Sequence, residues 1–239
     1  TYRVEQITFA SDVTGDGKVE TRTKLNETKR WQVASVDAAG VATLQLSLAA
    51  LRLETVTPGG DTLLFDSDNP DKSAPELRSQ LGGFVGKALA LLRVDGQGRV
   101  VEVKESKFGP ASRYESELPF VGVLPADGPR PGQEWRRDYK LTLERSGEKY
   151  DAVQQYVCKG VADGRAVVSV TTGLKTAPSP DEQAALLELQ PEGEIVYDLK
   201  AGRLRSASLK IDREVKNHHG EGSSYRVQGT YTEELITDR

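Results

Sequence analysis

The run from Val41 to Glu54 constrains the fold more than any other stretch. Ala42, Leu44, Leu46 and Leu48 alternate with Thr43, Gln45 and Ser47, the period-two pattern of a strand with one face on a core. At Ala49 and Ala50 the phase flips, so that Leu51 and Leu53 become the apolar members and Arg52 and Glu54 the polar ones. A one-residue slip is what a β-bulge introduces, and a bulge bends a long strand around a curved sheet. The expected fold class is therefore mainly β with a minor α component: long antiparallel strands in one or more curved sheets or a half-barrel.

Other segments agree. Tyr2 to Val13 and Lys18 to Val36 read as long strands joined at Thr14-Gly15-Asp16-Gly17, and Leu91 to Val94 pairs with Arg99 to Lys104 across Asp95-Gly96-Gln97-Gly98, with Val101 and Val103 on one face. The 23 glycines and 11 prolines suit many turns, and 239 residues can bury one large core or two smaller ones. Only two stretches read as helix. Ser73-Ala74-Pro75-Glu76 offers an N-cap serine, an early proline and a glutamate reaching back. Behind it Leu77, Leu81, Phe84, Val85, Ala88 and Leu89 recur at helical spacing, which predicts a helix over about 74–90. Ser179-Pro180-Asp181-Glu182 repeats the capping pattern and predicts a second helix over about 180–189.

The order of elements before and after a Pro/Gly-rich connector at 118–132 is nearly the same. Val36 to Leu46 also matches Val161 to Val170 with one residue dropped from the turn. The expected organisation is two tandem similar halves, 1–117 and 133–239, each with one short helix. An amphipathic helix in such a chain lids or plugs the curved sheet, because neither buries its apolar face alone.

Chemistry-bearing motifs are scarce. Asp12 to Glu20 imitates the first positions of a calcium loop, but Thr23 stands where the bidentate glutamate belongs, so a hairpin is expected. Gly82 to Lys87 imitates a phosphate-binding loop with one residue too few, and Ala88 replaces the hydroxyl. His218 and His219 are the only two histidines; on a strand they would face opposite ways, and Gly220 and Gly222 favour a turn. No Gly-x-Ser-x-Gly elbow exists, and no Ser-His-Asp set can be drawn away from that turn. Asp66, Asp68 and Asp71 form the densest oxygen cluster and are the candidate metal ligands, although a side-chain-capped turn accounts for them first. The single Cys158 lies in a strand pattern and reads as a small core residue. With 32 basic and 36 acidic residues interspersed, no broad basic surface for nucleic acid is expected. No run of 18 apolar residues is present, so no transmembrane segment is expected. The chain contains no methionine and opens on Thr1, which reads as either a trimmed chain or a mature product whose leader has gone.

The succession of long strands, Phe65-Asp66-Ser67-Asp68 with Pro70, a helix, Asp95-Gly96-Gln97-Gly98-Arg99-Val100 and Pro131-Gly132-Gln133-Glu134-Trp135 resembles a bacterial family of secreted or lipid-anchored proteins of unknown function. The layout is also similar to the unclosed β-barrels of bacterial lipoprotein carriers, in which helices cap a curved sheet around an acyl chain. The resemblance implies a cell-envelope location, periplasmic or secreted, and an apolar cleft. The functional expectation is a non-enzymatic binding protein, without cofactor, holding a lipid or other apolar ligand against Leu77, Leu81, Phe84, Val85 and Leu89. The alternative is a structural module with a filled core whose partner is another envelope protein.

Overall fold

The computed structural model describes residues 1–107, 109–115, 122–143 and 146–236. Among the described residues strand accounts for about 60% and helix for about 10%, so the expected mainly-β class holds. The first half runs β1 (Tyr2–Thr14), β2 (Gly17–Val36), β3 (Ala42–Val56), β4 (Thr62–Asp66), α1 (Pro75–Leu81), β5 (Ala88–Val94) and β6 (Val100–Ser106). The second runs β7 (Glu134–Thr142), β8 (Lys149–Ala162), β9 (Arg165–Leu174), α2 (Pro180–Leu186), β10 (Glu192–Asp198), β11 (Arg203–Lys216) and β12 (Ser224–Leu235).

All 12 strands belong to one antiparallel sheet that does not close into a barrel. Its order is β6-β5-β3-β2-β1-β12-β11-β10-β9-β8-β7, with β4 attached to β3. Each half is thus a meander, and the two are stitched along β1 and β12, where Tyr2 faces Leu235 and Val13 faces Ser224. Strands β6 and β7 are left as the open edges. One buried cluster runs across successive strands from Tyr2 on β1 to Tyr156 on β8, and the sheet curves around α2, since Leu186 packs on β7 and β8 while Leu187 packs on β11 and β12.

The phase flip in β3 is a bulge. Thr28 faces Ala50 and Lys29 faces Leu48, leaving Ala49 unpaired, so Leu46, Leu48 and Leu51 all turn inward. The hairpin at Thr14 and Gly17 forms as expected in place of a calcium loop. Cys158 is a buried free thiol on β8.

The structure corrects three local expectations. The first helix spans Pro75–Leu81, not 74–90. Gly82 and Gly83 end it, and Gly86 donates its N–H to the Leu48 carbonyl (2.7 Å), docking the chain on β3 beside the bulge. From there Ala88 and Leu89 start β5, where Leu89, Ala90 and Leu92 are buried. Second, Ser73 does not cap α1. Ala74 holds the N-cap position without a side-chain bond, while the Ser73 hydroxyl accepts the Asp66 N–H at 2.8 Å. Third, Val101 and Val103 do not share a face. A register shift after Arg93 makes Val101 the extra residue, 51% exposed, and turns Val100 and Val103 toward the core. The second helix matches its expectation: α2 continues as a 3₁₀ turn over Leu187–Leu189, and Ser179 and Glu182 form a complete capping box.

The connector between the open edges is tied to both. Tyr114 is buried against Leu46, Ala90, Leu92 and Val94. Leu124 exchanges two hydrogen bonds with Gln97 in the β5–β6 turn, its N–H donating at 2.9 Å and its carbonyl accepting from the side-chain amide at 3.1 Å. Trp135 at the start of β7 donates its indole N–H to the Val123 carbonyl at 2.7 Å. Residues 118–121 of the expected connector lie outside the described residues. Among the described residues, no helix is long and apolar enough to cross a membrane.

Candidate functional site

Helix α2 sits inside the curve of the sheet. Leu186 is fully buried among Leu141 on β7 and Ala152 on β8, with Leu174 of β9 at the edge of that cluster, and its neighbour Leu187 turns the other way onto Val215 of β11 and Val227 of β12. Consecutive residues can serve two walls because the helix tightens to a 3₁₀ turn at Leu187. The capping box fixes where the helix begins, and the Tyr150 hydroxyl donates to Glu182 at 2.7 Å, holding the N-terminal turn against β8. Hydrogen bonds from Ser179 and then Tyr150 hold the Glu182 carboxyl below its usual range.

A cavity of about 690 Å³ lies beside this helix. Leu141, Leu143, Ala184, Ala185, Leu189 and Tyr225 give it apolar walls, and Asp12, Arg113, Lys140, Asp181, Glu188, His218 and His219 supply polar groups. Arg113 belongs to the connector that leaves β6, Leu141 to the edge strand β7, and Asp12 and Tyr225 to β1 and β12 at the middle of the sheet, so the cavity spans from the open edge to the seam. Burial pushes the Glu188 carboxyl up, and burial, followed by the charges of Glu188 and Asp12, pushes the Tyr225 phenol up. The arrangement suits a molecule with an apolar body and a polar or charged end: the walls exclude water from one part while the charged groups fix the other.

The five apolar candidates from the sequence lie elsewhere. Leu77, Leu81, Phe84, Val85 and Leu89 come together with Leu48, Leu51 and Phe65 under α1, and none of them lines the cavity. The acidic candidates organise a turn. Asp66 Oδ1 accepts the N–H groups of Asp68 (3.0 Å) and Asn69 (3.2 Å), and Oδ2 accepts the Asn69 side-chain amide (3.2 Å). Burial acts to raise the Asp66 carboxyl, but the bonds from Asn69 and Asp68 outweigh it and the net shift is downward. Asp68 and Asp71 are exposed, and the three carboxylates do not form a ligand-distance group among the described residues.

The group that does form is Asp12, His218 and His219, whose ligand atoms all lie within 4.8 Å of one another. The turn expected at the histidines is there, but sequence reasoning did not join them to Asp12 as a ligand set. The histidines open the β11–β12 turn, where Asn217 has a positive φ of 61° and the two rings lie 4.3 Å apart between centroids. The turn residues Asn217, Gly220 and Gly222 were the available signal. The partnership with Asp12, from the far end of the chain, had none.

No protein-family model matches the chain. No curated protein matches it in sequence. Among solved structures it is similar to DynF from the dynemicin biosynthesis pathway of Micromonospora chersina, at a TM-score of 0.27 and 9% identity over 99% of this chain and 80% of that one.

Proposed function

We propose that the protein is a non-enzymatic binding protein of the bacterial cell envelope that holds an amphiphile, such as a lipid or other apolar ligand with a charged end, between α2 and the curved sheet. The observation that carries this reading is the cavity of about 690 Å³ beside α2 with apolar walls and a set of charged groups, a volume within the range of about 300–1,000 Å³ typical of small-molecule sites. The pocket reading moves from the helix of the first half to that of the second. Support for the envelope location is the resemblance in element order to secreted and lipid-anchored proteins.

The test is native mass spectrometry of protein made in bacteria, organic extraction, and titration with a fluorescent acyl probe. Ala185→Trp is the diagnostic variant, because Ala185 lines the cavity yet is exposed, so a large side chain obstructs the space without repacking the core. The expected outcome is stoichiometric probe binding to the wild type and loss of binding in the variant at unchanged melting temperature. Absence of both co-purifying lipid and probe response would overturn the proposal. It would favour the interaction-module reading, which the exposed Val33 and Val36 at the end of β2 (each 61%) and Val101 on the open edge (51%) support.

A further inference from the structure

We propose that Asp12, His218 and His219 form a binding site for a divalent transition metal, with Zn²⁺ as the fitting ion. His218 carries the argument. Its side chain is 3% exposed, yet neither ring nitrogen has a hydrogen-bond partner among the described residues, and Asp12 Oδ1 is buried in the same condition. Buried polar groups in native proteins are nearly always satisfied, so orphaned nitrogens and an orphaned oxygen at one spot call for an occupant. The His218 Nε2 to Asp12 Oδ1 distance is 3.0 Å, short enough for an ordinary hydrogen bond, but the oxygen is out of line with the ring N–H. Two groups that approach this closely without pointing at each other are placed to share a third centre.

The chemistry of the donors narrows the occupant. Ligand atoms around a tetrahedral zinc at bond lengths of about 2.0–2.1 Å stand roughly 3.3 Å apart; the His218–Asp12 pair at 3.0 Å is already near that spacing, and His219, with all three ligand atoms within 4.8 Å, would reach it by a rotation of its exposed ring. Two imidazoles with one carboxylate suit zinc and its neighbours and disfavour calcium and magnesium, which take oxygen. Asp181 Oδ1 lies 3.5 Å from His219 Nδ1 and serves as the outer partner that orients the ring. All four residues line the cavity, so the fourth coordination position opens onto it and is left to water. The site brings together the end of β1, the β11–β12 turn and the first turn of α2, so a bound ion would pin the helix to the sheet. It does not depend on the amphiphile reading.

The test uses the full chain without a histidine tag, stripped with chelator and titrated calorimetrically with Zn²⁺, with Co²⁺ absorption as a report of coordination geometry. His219→Gln is the principal variant, because that side chain is 54% exposed and its loss should spare the fold. The expected result is one saturable Zn²⁺ site per chain, a tetrahedral Co²⁺ spectrum, a higher melting temperature with Zn²⁺, and no competition from Ca²⁺ or Mg²⁺. In His219→Gln, and in Asp12→Asn, affinity should fall by at least the roughly tenfold to hundredfold that losing even an outer partner costs. Equal Zn²⁺ affinity in wild type and His219→Gln, or no saturable binding by the wild type, would overturn the proposal.

Discussion

The two helices begin with nearly the same words and end in different roles. Ser73-Ala74-Pro75-Glu76 and Ser179-Pro180-Asp181-Glu182 differ in the residue between serine and proline. In α2 that spacing places Ser179 at the N-cap and Glu182 at the third helical position, so the box closes. In α1 the inserted Ala74 takes the N-cap, and Ser73 ties down the Asp66 backbone instead. Helix α1 then buries none of its residues and rests on β4 as an outer cover, whereas α2 buries Ala184 and Leu186 inside the curve. A cap position one residue out thus accompanies a lid in one half and a plug in the other.

The most direct way to break that comparison is to truncate one leucine in each helix. Leu186→Ala, at a fully buried site, is expected to lower stability by about 3 kcal/mol in urea unfolding, and Leu81→Ala, at a half-buried one, by about 1 kcal/mol. Equal losses would mean that the lid is docked as firmly as the plug. Phe84→Asp sharpens the lid's side of it. A carboxylate set against Leu48, Leu51 and Phe65 should cost about 2 kcal/mol, read as a shift of the melting temperature; no shift would show that the segment after α1 does not pack as described. The caps should separate more gently. Ser179→Ala is expected to cost about 1 kcal/mol, while Glu76→Gln, in a helix with no side-chain cap, should stay within about 0.5 kcal/mol by the same denaturant assay.

The smallest effect is one of pH. The folded pKa of Glu182 is depressed, so its stabilisation is present above the unfolded value of about 4.3 and is lost as pH falls through the lower folded value. The urea midpoint of the wild type should therefore drop in that acid window, whereas Glu182→Gln, which lacks the ionised group, should start from a slightly lower midpoint at neutral pH and show a flatter drop.

The sequence was most legible where one local rule acted alone. The β3 bulge could be read from Ala49 and Ala50, and the capping box of α2 from Ser179 and Glu182, because both depend on a few adjacent residues. The first helix was overread because Leu77 through Leu89 satisfies helical spacing and strand alternation in succession, and the arbiter is a carbonyl of Leu48 that waits on another strand. Val101 went astray for a related reason: its bulge is defined against Arg93 and Val94 and leaves no mark in its own run. The cavity and the Asp12–His218–His219 cluster were invisible because they exist only once the gap between β6 and β7 and the meeting of β1 with β12 are known.

That meeting has a consequence for the order of events during folding. Every other neighbouring pair in the sheet is close along the chain or spans only a short excursion, but the seam brings Tyr2 to the Leu204 carbonyl across 202 residues. Closing so long a loop carries an entropy penalty that contacts formed earlier must outweigh, and non-local pairings of this kind slow folding. Each meander can assemble from its own hairpins first, with the seam joining them last. Until it does, β1 and β12 each present an unpaired backbone edge, the hazard through which two copies of a nascent chain can exchange strands.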